Sequence, residues 1–290
     1  MSFKKEIQND IQQLADLKSL TETYQEIAAI RMQKIKNSVL TNRDFLERLH
    51  AIFLQVRTSY VKEQDKKKAS RFSFKLSSPN QVSVIAEKNK AVAVLLSANT
   101  MLYGDIVKRT FEAFTEEIKN NDMDIVIVGR AGLRFFKEQN LSLPFEYFDF
   151  SDSGVDDSAL KGIIDYIKVY SVIKVFHGKF QTILNQKVEQ SYVRGTIDVS
   201  DFPDNGVNYL FEPSLKEVLA FFEKELLASL FEQTVFESNL SKFASRMVSL
   251  DSAVDSIGQE LKKAEFKRQQ GEHRTLNRKQ LSSLSGISLW

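Results

Sequence analysis

The chain contains no cysteine. A disulfide framework, a thiolate nucleophile and a Cys-ligated metal are thereby excluded, and a reducing compartment fits. It has only four prolines, Pro79, Pro144, Pro203 and Pro213. Segments 1–78 and 214–290 therefore hold no proline to break a helix, so very long helices are permitted there. No stretch approaches the roughly 20 apolar residues that a membrane helix needs. Met1 to Asp10 is polar with isolated apolar residues, so no secretory leader is expected. A large charge excess is also missing, with Lys+Arg 40 against Asp+Glu 38. Nucleic acid is not expected as a partner, because non-specific phosphate binding needs a strong basic surplus. The expectation is a soluble protein, or one attached to something that sits in a membrane.

What the sequence does have is heptad periodicity at both ends. With position a at Ile7, the a series runs Ile7, Leu14, Thr21, Ala28, Ile35, Asn42, Leu49 and Val56. The d series runs Ile11, Lys18, Gln25, Met32, Val39, Leu46, Phe53 and Tyr60. Apolar residues dominate both, the pattern that winds helices into a left-handed supercoil. At about 1.5 Å per residue, such a helix is on the order of 80 Å long. The other end repeats the signal, with a at Leu219, Leu226, Gln233, Leu240, Met247, Val254, Leu261 and Arg268. Its d series is Leu215, Phe222, Ser229, Phe236, Phe243, Leu250, Ile257 and Ala264. Pro213-Ser214 marks a start, since Pro ends the preceding segment and Ser can cap a helix beginning just after it. Two helices rooted in one middle segment and running away from it pair antiparallel. The alternative is two separate amphipathic helices packed on a globular core. The polar seam positions Lys18, Thr21, Gln25 and Arg268 lie far from the root, so the far tip is expected to be a weak two-helix core held by a partner.

The middle reads as a small α/β domain. Ala91 to Leu96 is a continuous apolar run, the mark of a buried strand. Ile106, Phe111, Phe114 and Ile118 have helical spacing. Ile125 to Val128 is a second buried strand, Leu133, Phe135 and Phe136 open a helix, and Phe145 to Phe150 is a third β-like run. Asp156 to Tyr170 reads as a helix, and Val172 to Val193 as a hairpin. Alternating strands and helices imply a largely parallel, Rossmann-like sheet. The expected organisation is an N-terminal coiled-coil helix over 1–65, a central α/β domain over 66–212 and a C-terminal coiled-coil helix over 213–290. Lys66 to Lys90 reads as a polar linker with a short strand, Val82 to Ile85.

Catalytic motifs are sparse. Gly129-Arg130-Ala131-Gly132 follows a strand and opens a helix, where an anion could bind. It lacks the third glycine of a dinucleotide fingerprint and the Gly-Lys-Ser/Thr of a P-loop, so a tight turn is the reading it favours. His50, His177 and His273 have no ligand-like spacing, and no metal site is expected. No Gly-x-Ser-x-Gly elbow is present. Asp122, Asp124, Asp156 and Asp157 sit at expected turns or helix starts. The basic stretch Lys262, Lys263, Lys267, Arg268, Arg274, Arg278 and Lys279 is a solvated helix face, a surface for an acidic protein partner or, as a third and weaker option, an RNA or anionic-lipid contact.

Several segments together resemble the gamma subunit of F-type ATP synthases, along essentially the whole chain. Leu20 to Met32 is similar to the family's Ile-Thr-x-Ala-Met-x-x-Val-Ala-x-x-Lys-Met segment, with Thr21, Ala28, Ala29 and Met32 matching. Leu102-Tyr103-Gly104 stands where the family has a Gly-Leu-Cys/Tyr-Gly turn. Gly129 to Phe136 resembles Gly-x-Lys-Gly-x-x-Phe-Phe, and Tyr209 to Pro213 resembles Tyr-x-Tyr-Glu-Pro. Ala244 to Leu250 resembles Ala-Ala-Arg-Met-x-Ala-Met. Two departures stand out. Glu272, His273, Leu276 and Asn277 replace the family's Arg-Gln-x-x-Ile-Thr, and Asn99-Thr100-Met101 replaces Asp-Arg/Lys-Gly. They suggest a divergent or specialised rotary ATPase.

The resemblance implies a non-catalytic transmission shaft inside a hexamer of alpha- and beta-type catalytic-head subunits. An epsilon-type small stalk subunit and a membrane ion ring would bind the α/β foot. It implies no cofactor on this chain, with ATP, ADP and Mg held in partner subunits, and a cytoplasmic location peripheral to the membrane. Head-facing contacts would come from Tyr24, Arg31, Met32, Arg246, Lys262, Lys263, Lys267 and Arg268, and the foot turn from Leu102, Tyr103 and Gly104. The residues also leave open a gamma-like rotor doing work other than ion transport, a structural coiled-coil adaptor, and a small α/β enzyme with helical arms.

Overall fold

The computed structural model describes residues 2–69, 88–141, 143–152, 157–194 and 212–287. A helix α1 (Ser2–Ala69) opens the chain and a helix α5 (Leu215–Ile287) closes it. Between them run β1 (Lys88–Leu96), α2 (Ile106–Asn120), β2 (Asp124–Val128), α3 (Arg130–Glu138), β3 (Phe145–Phe148), α4 (Asp157–Ile167), β4 (Tyr170–Phe180) and β5 (Gln186–Arg194). The expected helix–α/β–helix architecture is present. Residues 66–69, expected to open a linker, are helical instead, because α1 continues through Lys66, Lys67 and Lys68 to Ala69. Lysine is a good helix former, and nothing in the run breaks the helix. The strand expected at Val82 to Ile85 lies outside the described residues. Ser214 caps α5 as expected, its Oγ accepting the Glu217 amide at 3.3 Å.

The chain divides into two compact units, one of residues 1–30 with 246–290 and one of residues 31–245. In the first, α1 and α5 run antiparallel. Lys4 Nζ meets Glu272 Oε1 at 3.2 Å, and Gln25 Nε2 donates to Asp251 Oδ1 at 2.9 Å. Ile7, Thr21 and Ala28 are buried, while Leu14, Lys18 and Gln25 are half-buried, as are Leu250, Val254, Ile257, Leu261 and Ala264 opposite. Two of the polar seam positions are satisfied where they stand. Thr21 Oγ1 donates to Leu17 O at 2.7 Å, and Gln25 bridges to the other helix.

The second unit contains a five-stranded sheet in the order β3-β2-β1-β4-β5. All neighbours are parallel except the β4–β5 hairpin. Strand alternation sends side chains to opposite faces. Val92, Val94, Val126 and Val128 pack with Ile163 and Ile167 of α4 and with Leu227, Phe231 and Val235 of α5. Ala93, Leu95, Ile125 and Ile127 pack with Phe111 and Phe114 of α2 and Phe136 of α3 on the other face. A separate cluster joins Leu46, Leu49, Phe53 and Val56 of α1 to Leu219 and Leu226 of α5. Here α5 carries two apolar faces, one for α1 and one for the sheet. The paired-helix and globular-core alternatives are therefore both realised on one helix.

Candidate partner-contact surfaces

In the unit of residues 1–30 and 246–290, a stripe of exposed apolar residues runs along α1. Leu17, Leu20, Tyr24 and Ile27 are 48, 53, 46 and 39% exposed. Their spacing of three, four and three residues places them on one helix face, distinct from the buried seam. Lys262, Lys263 and Lys267 are exposed, while Arg246 and Arg268 are half-buried. Lys263 pairs with Glu260 at 2.7 Å. The buried Arg268 Nε has no hydrogen-bond partner among the described residues. A groove of about 390 Å³ has Leu14, Leu17 and Ala264 as apolar lining and Asp10, Lys263 and Lys267 as polar lining. Opposite Glu272 the first helix is near its start, and Leu276, Leu281 and Leu284 of α5 are more than half exposed.

In the other unit, Met32 is half-buried in the seam. Arg31 lies over the Phe243 ring of α5, 5.8 Å from its centroid. The expected foot turn arrives at the same ring. Tyr103 is 1% exposed and meets Phe243 edge-on, with centroids 5.8 Å apart. Leu102 beside it is exposed, and Gly104 turns the chain with φ 60°. Arg31 and Tyr103, expected at opposite ends of a shaft, share one aromatic partner.

The C-terminal edge of the parallel strands carries a polar network. Asp152 Oδ2 accepts the amides of Asn99 at 2.8 Å and Thr100 at 3.0 Å. Asn99 Nδ2 donates to Asp149 Oδ1 at 2.7 Å, and Asn99 Oδ1 accepts the Arg130 amide at 2.9 Å. Arg130 pairs with Asp149 at 2.7 Å. The Arg130 guanidinium and the Asn99 amide hold the Asp149 carboxyl below its usual range. This settles the turn at Gly129. Its φ of 97° needs glycine, and a Cβ would meet Ala98 O at 2.9 Å. The next amides are already bound, Arg130 N to Asn99 and Ala131 N to Ala98 O at 2.7 Å. An anion finds those two donors occupied, so the turn is a structural one.

Two groups at this edge were not legible as sites. Lys242 of α5 is 7% exposed and donates to Ser97 O at 2.8 Å, with Asp152 Oδ1 at 4.0 Å. Burial pushes its ammonium down to about 8, against the pull of Asp152. The available signal was the small-residue spacing Ser238, Ser241 and Ser245, which brings a helix close to its neighbour. His177 on β4 is 1% exposed, with Nδ1 3.1 Å from Gly178 O and Nε2 2.8 Å from Ser191 Oγ. A carbonyl can only accept, so Nδ1 carries the proton and Ser191 donates to Nε2. Burial lowers its pKa, and the imidazole is structural. Among the described residues, no group of three His, Asp or Glu side chains could hold a metal ion.

A family model described as ATP synthase matches residues 4–271. The chain is 22% identical over 271 residues to the ATP synthase gamma chain of Ruthia magnifica subsp. Calyptogena magnifica, covering 90% of each. It is also 22% identical over 276 residues to the ATP synthase gamma chain of Cytophaga hutchinsonii, again covering 90% of each. Among solved structures, a chain of the Tetrahymena thermophila mitochondrial ATP synthase central stalk and c-ring superposes with a TM-score of 0.57 at 15% identity. That match covers 81% of this chain and 99% of the other. A chain of the Euglena gracilis mitochondrial ATP synthase OSCP/F1/c-ring assembly gives a TM-score of 0.50 at 12% identity, covering 89% and 93%. At these identities the two likenesses show the fold alone. With the family match spanning nearly its whole length, the chain belongs to the ATP synthase gamma-chain family.

Proposed function

We propose that this chain is the central-stalk rotor subunit of an F-type ATP synthase and is itself non-catalytic. The observation that carries this reading is the family match across residues 4–271, spanning both helices and the α/β domain. Alpha- and beta-type subunits form the surrounding hexamer and bind ATP, ADP and Mg. The rotor turns within them. Because its surface is asymmetric, each orientation contacts the three catalytic sites differently and biases each toward a different state. The exposed stripe through Tyr24 and the basic residues Lys262, Lys263, Lys267 and Arg268 are the contacts we assign to the head. The turn at Leu102, Tyr103 and Gly104 belongs to the foot, where an epsilon-type subunit and the ion ring bind. No helix among the described residues is long and apolar enough to cross a membrane. A peripheral position on the cytoplasmic side accords with that.

The test is purification of the tagged chain from its native cells. A hexameric ATPase is expected to accompany it, and deletion of residues 260–290 is expected to weaken assembly or coupling. Recovery of a lone monomer or a homodimer with no ATPase attached overturns the reading.

A further inference from the structure

Ser241, Lys242 and Phe243 are consecutive on α5, so their side chains project about 100° apart around the helix. Each meets a different part of the α/β unit. A Cβ on Gly178 of β4 would lie 2.5 Å from Ser241 Oγ, so α5 is pressed against β4 where only glycine leaves room. Lys242 Nζ donates to Ser97 O beyond β1 and faces Asp152 beyond β3. Phe243 takes the Tyr103 edge and the Arg31 guanidinium. Every residue from Ser238 to Ser245 is buried, so the helix is enclosed on all sides at this level.

A lysine in such a place is unexpected on stability grounds. Burying an ammonium is costly, and an apolar side chain of similar volume often serves stability as well or better. What the charge adds is direction. Apolar contact is non-directional, whereas a charged donor is bound at one angle. The counter-charge is equally fixed. Asp152 is held by the Asn99 and Thr100 amides, and Asn99 in turn holds Arg130 and Asp149. Lys242 is thus fastened to a network that ties together the C-terminal ends of β1, β2 and β3. The charged groups packed at this level are Asp152, the Arg130–Asp149 pair behind Asn99, and Arg31 of α1 on the neighbouring ring.

Resting on the rotor reading above, we infer that Lys242 is a positioning residue for torque transfer: its hydrogen bond to Ser97 O and its ion pair with Asp152 fix the rotational setting of α5 in the α/β domain, so that rotation of the shaft turns the foot without slip. The acting partner is this chain's own sheet edge. Apolar packing holds the helix in place, and the charged pair sets its angle.

The test uses the assembled ATPase with a bead attached to the α/β domain. The chain has no cysteine, so Lys187→Cys on the exposed edge of β5 gives it a single labelling site. ATP-driven rotation is stalled against a calibrated load. Lys242→Met is expected to stall at a several-fold lower load than the parent. Asp152→Asn keeps an acceptor for the two amides and removes the charge, and it is expected to show the same loss. If the Met variant fails to fold, the Asn variant decides. The deficit of the Met variant should shrink as pH rises, because burial lowers the pKa of Lys242 and the neutral amine no longer attracts Asp152. Equal stall loads overturn the inference, and so does a deficit that stays constant as pH rises until the lysine is neutral. A parent chain that joins no ATPase overturns the rotor reading instead.

Discussion

Arg31 on α1 and Tyr103 in the turn before α2 meet the same Phe243 ring, the first over its face at 5.8 Å and the second edge-on at 5.8 Å. The ring's negative face attracts the cation and its neighbour's edge completes a favoured aromatic geometry. One side chain of α5 therefore joins the other helix to the α/β domain.

Phe243→Ala removes all of this and leaves a void. Truncating a buried Phe costs about 3–5 kcal/mol. Arg31→Met removes only the cation–π contribution, about 0.5–2 kcal/mol. Denaturant unfolding of the isolated chain, followed by circular dichroism, should rank the two in that order. If Arg31→Met is as damaging as Phe243→Ala, Arg31 holds more than this ring.

Gly178→Ala tests the close approach of α5 to β4. The new methyl would lie 2.5 Å from Ser241 Oγ and 2.8 Å from Ile106. Overpacking of this kind costs about 1–3 kcal/mol. Ser241 Oγ is buried with no hydrogen-bond partner among the described residues, so Ser241→Ala alone should be neutral or stabilising. Combined with Gly178→Ala it should recover part of the loss. Full additivity in a double-mutant cycle would show that the two sites do not press on each other.

The heptad register was legible because burial follows it closely. In the unit of residues 31–245, Val39, Leu46, Leu49, Phe53 and Val56 are all under 10% exposed. In α5, however, the register describes only one partner. Phe231 lies off the seam by that count, where a coiled coil would be wet, yet it is 0% exposed because it packs on the sheet. The spacing Leu227, Phe231 and Val235 carried that second face, and a heptad search passes over it. Lys242 was illegible for another reason. A lysine among serines reads as solvated, and its ion-pair partner Asp152 lies 90 positions earlier, in a loop whose place depends on the whole sheet. The turn at Gly129 was correctly legible as structural, but the side chain that fills it, Asn99, was not.

Lys242 also predicts a pH dependence of stability. Its pKa falls from 10.5 to about 8 on folding. Between those values the unfolded chain binds a proton that the folded chain does not, so folding stability rises with pH across that window. Below about pH 8 both states are protonated and this contribution is flat. The gap of about 2.5 pH units is worth roughly 3 kcal/mol. Lys242→Met has no such rise. At neutral pH it sheds the cost of the buried ammonium, and Asp152 keeps the Asn99 and Thr100 amides. Chemical denaturation at a series of pH values checks both points. A parent whose stability gains nothing over the Met variant between pH 8 and 10.5 rules out a lowered pKa for Lys242 in the folded chain.

The apolar stripe on α1 makes a prediction about assembly. Leu17, Leu20, Tyr24 and Ile27 line one face and stay exposed in the chain alone. Such a row is expected to be covered in the working complex, since contiguous exposed apolar surface marks an interaction site. Leu20→Asp with Tyr24→Asp touches no buried contact, and surface substitutions of this kind shift stability by about 0.5 kcal/mol or less. The melting temperature of the isolated chain should therefore be unchanged. Binding should suffer, because each large apolar side chain contributes about 1.5–3 kcal/mol when fully buried. Losing two of them weakens association with the catalytic hexamer by a factor on the order of 100 or more. Glu26→Ala, at an exposed position on the same stretch of helix, is the control and should bind as the parent does. Titration of the purified hexamer with labelled chain measures all three. Undiminished binding by the double variant would show that the head does not rest on this face, and would move the contact to the basic residues of α5.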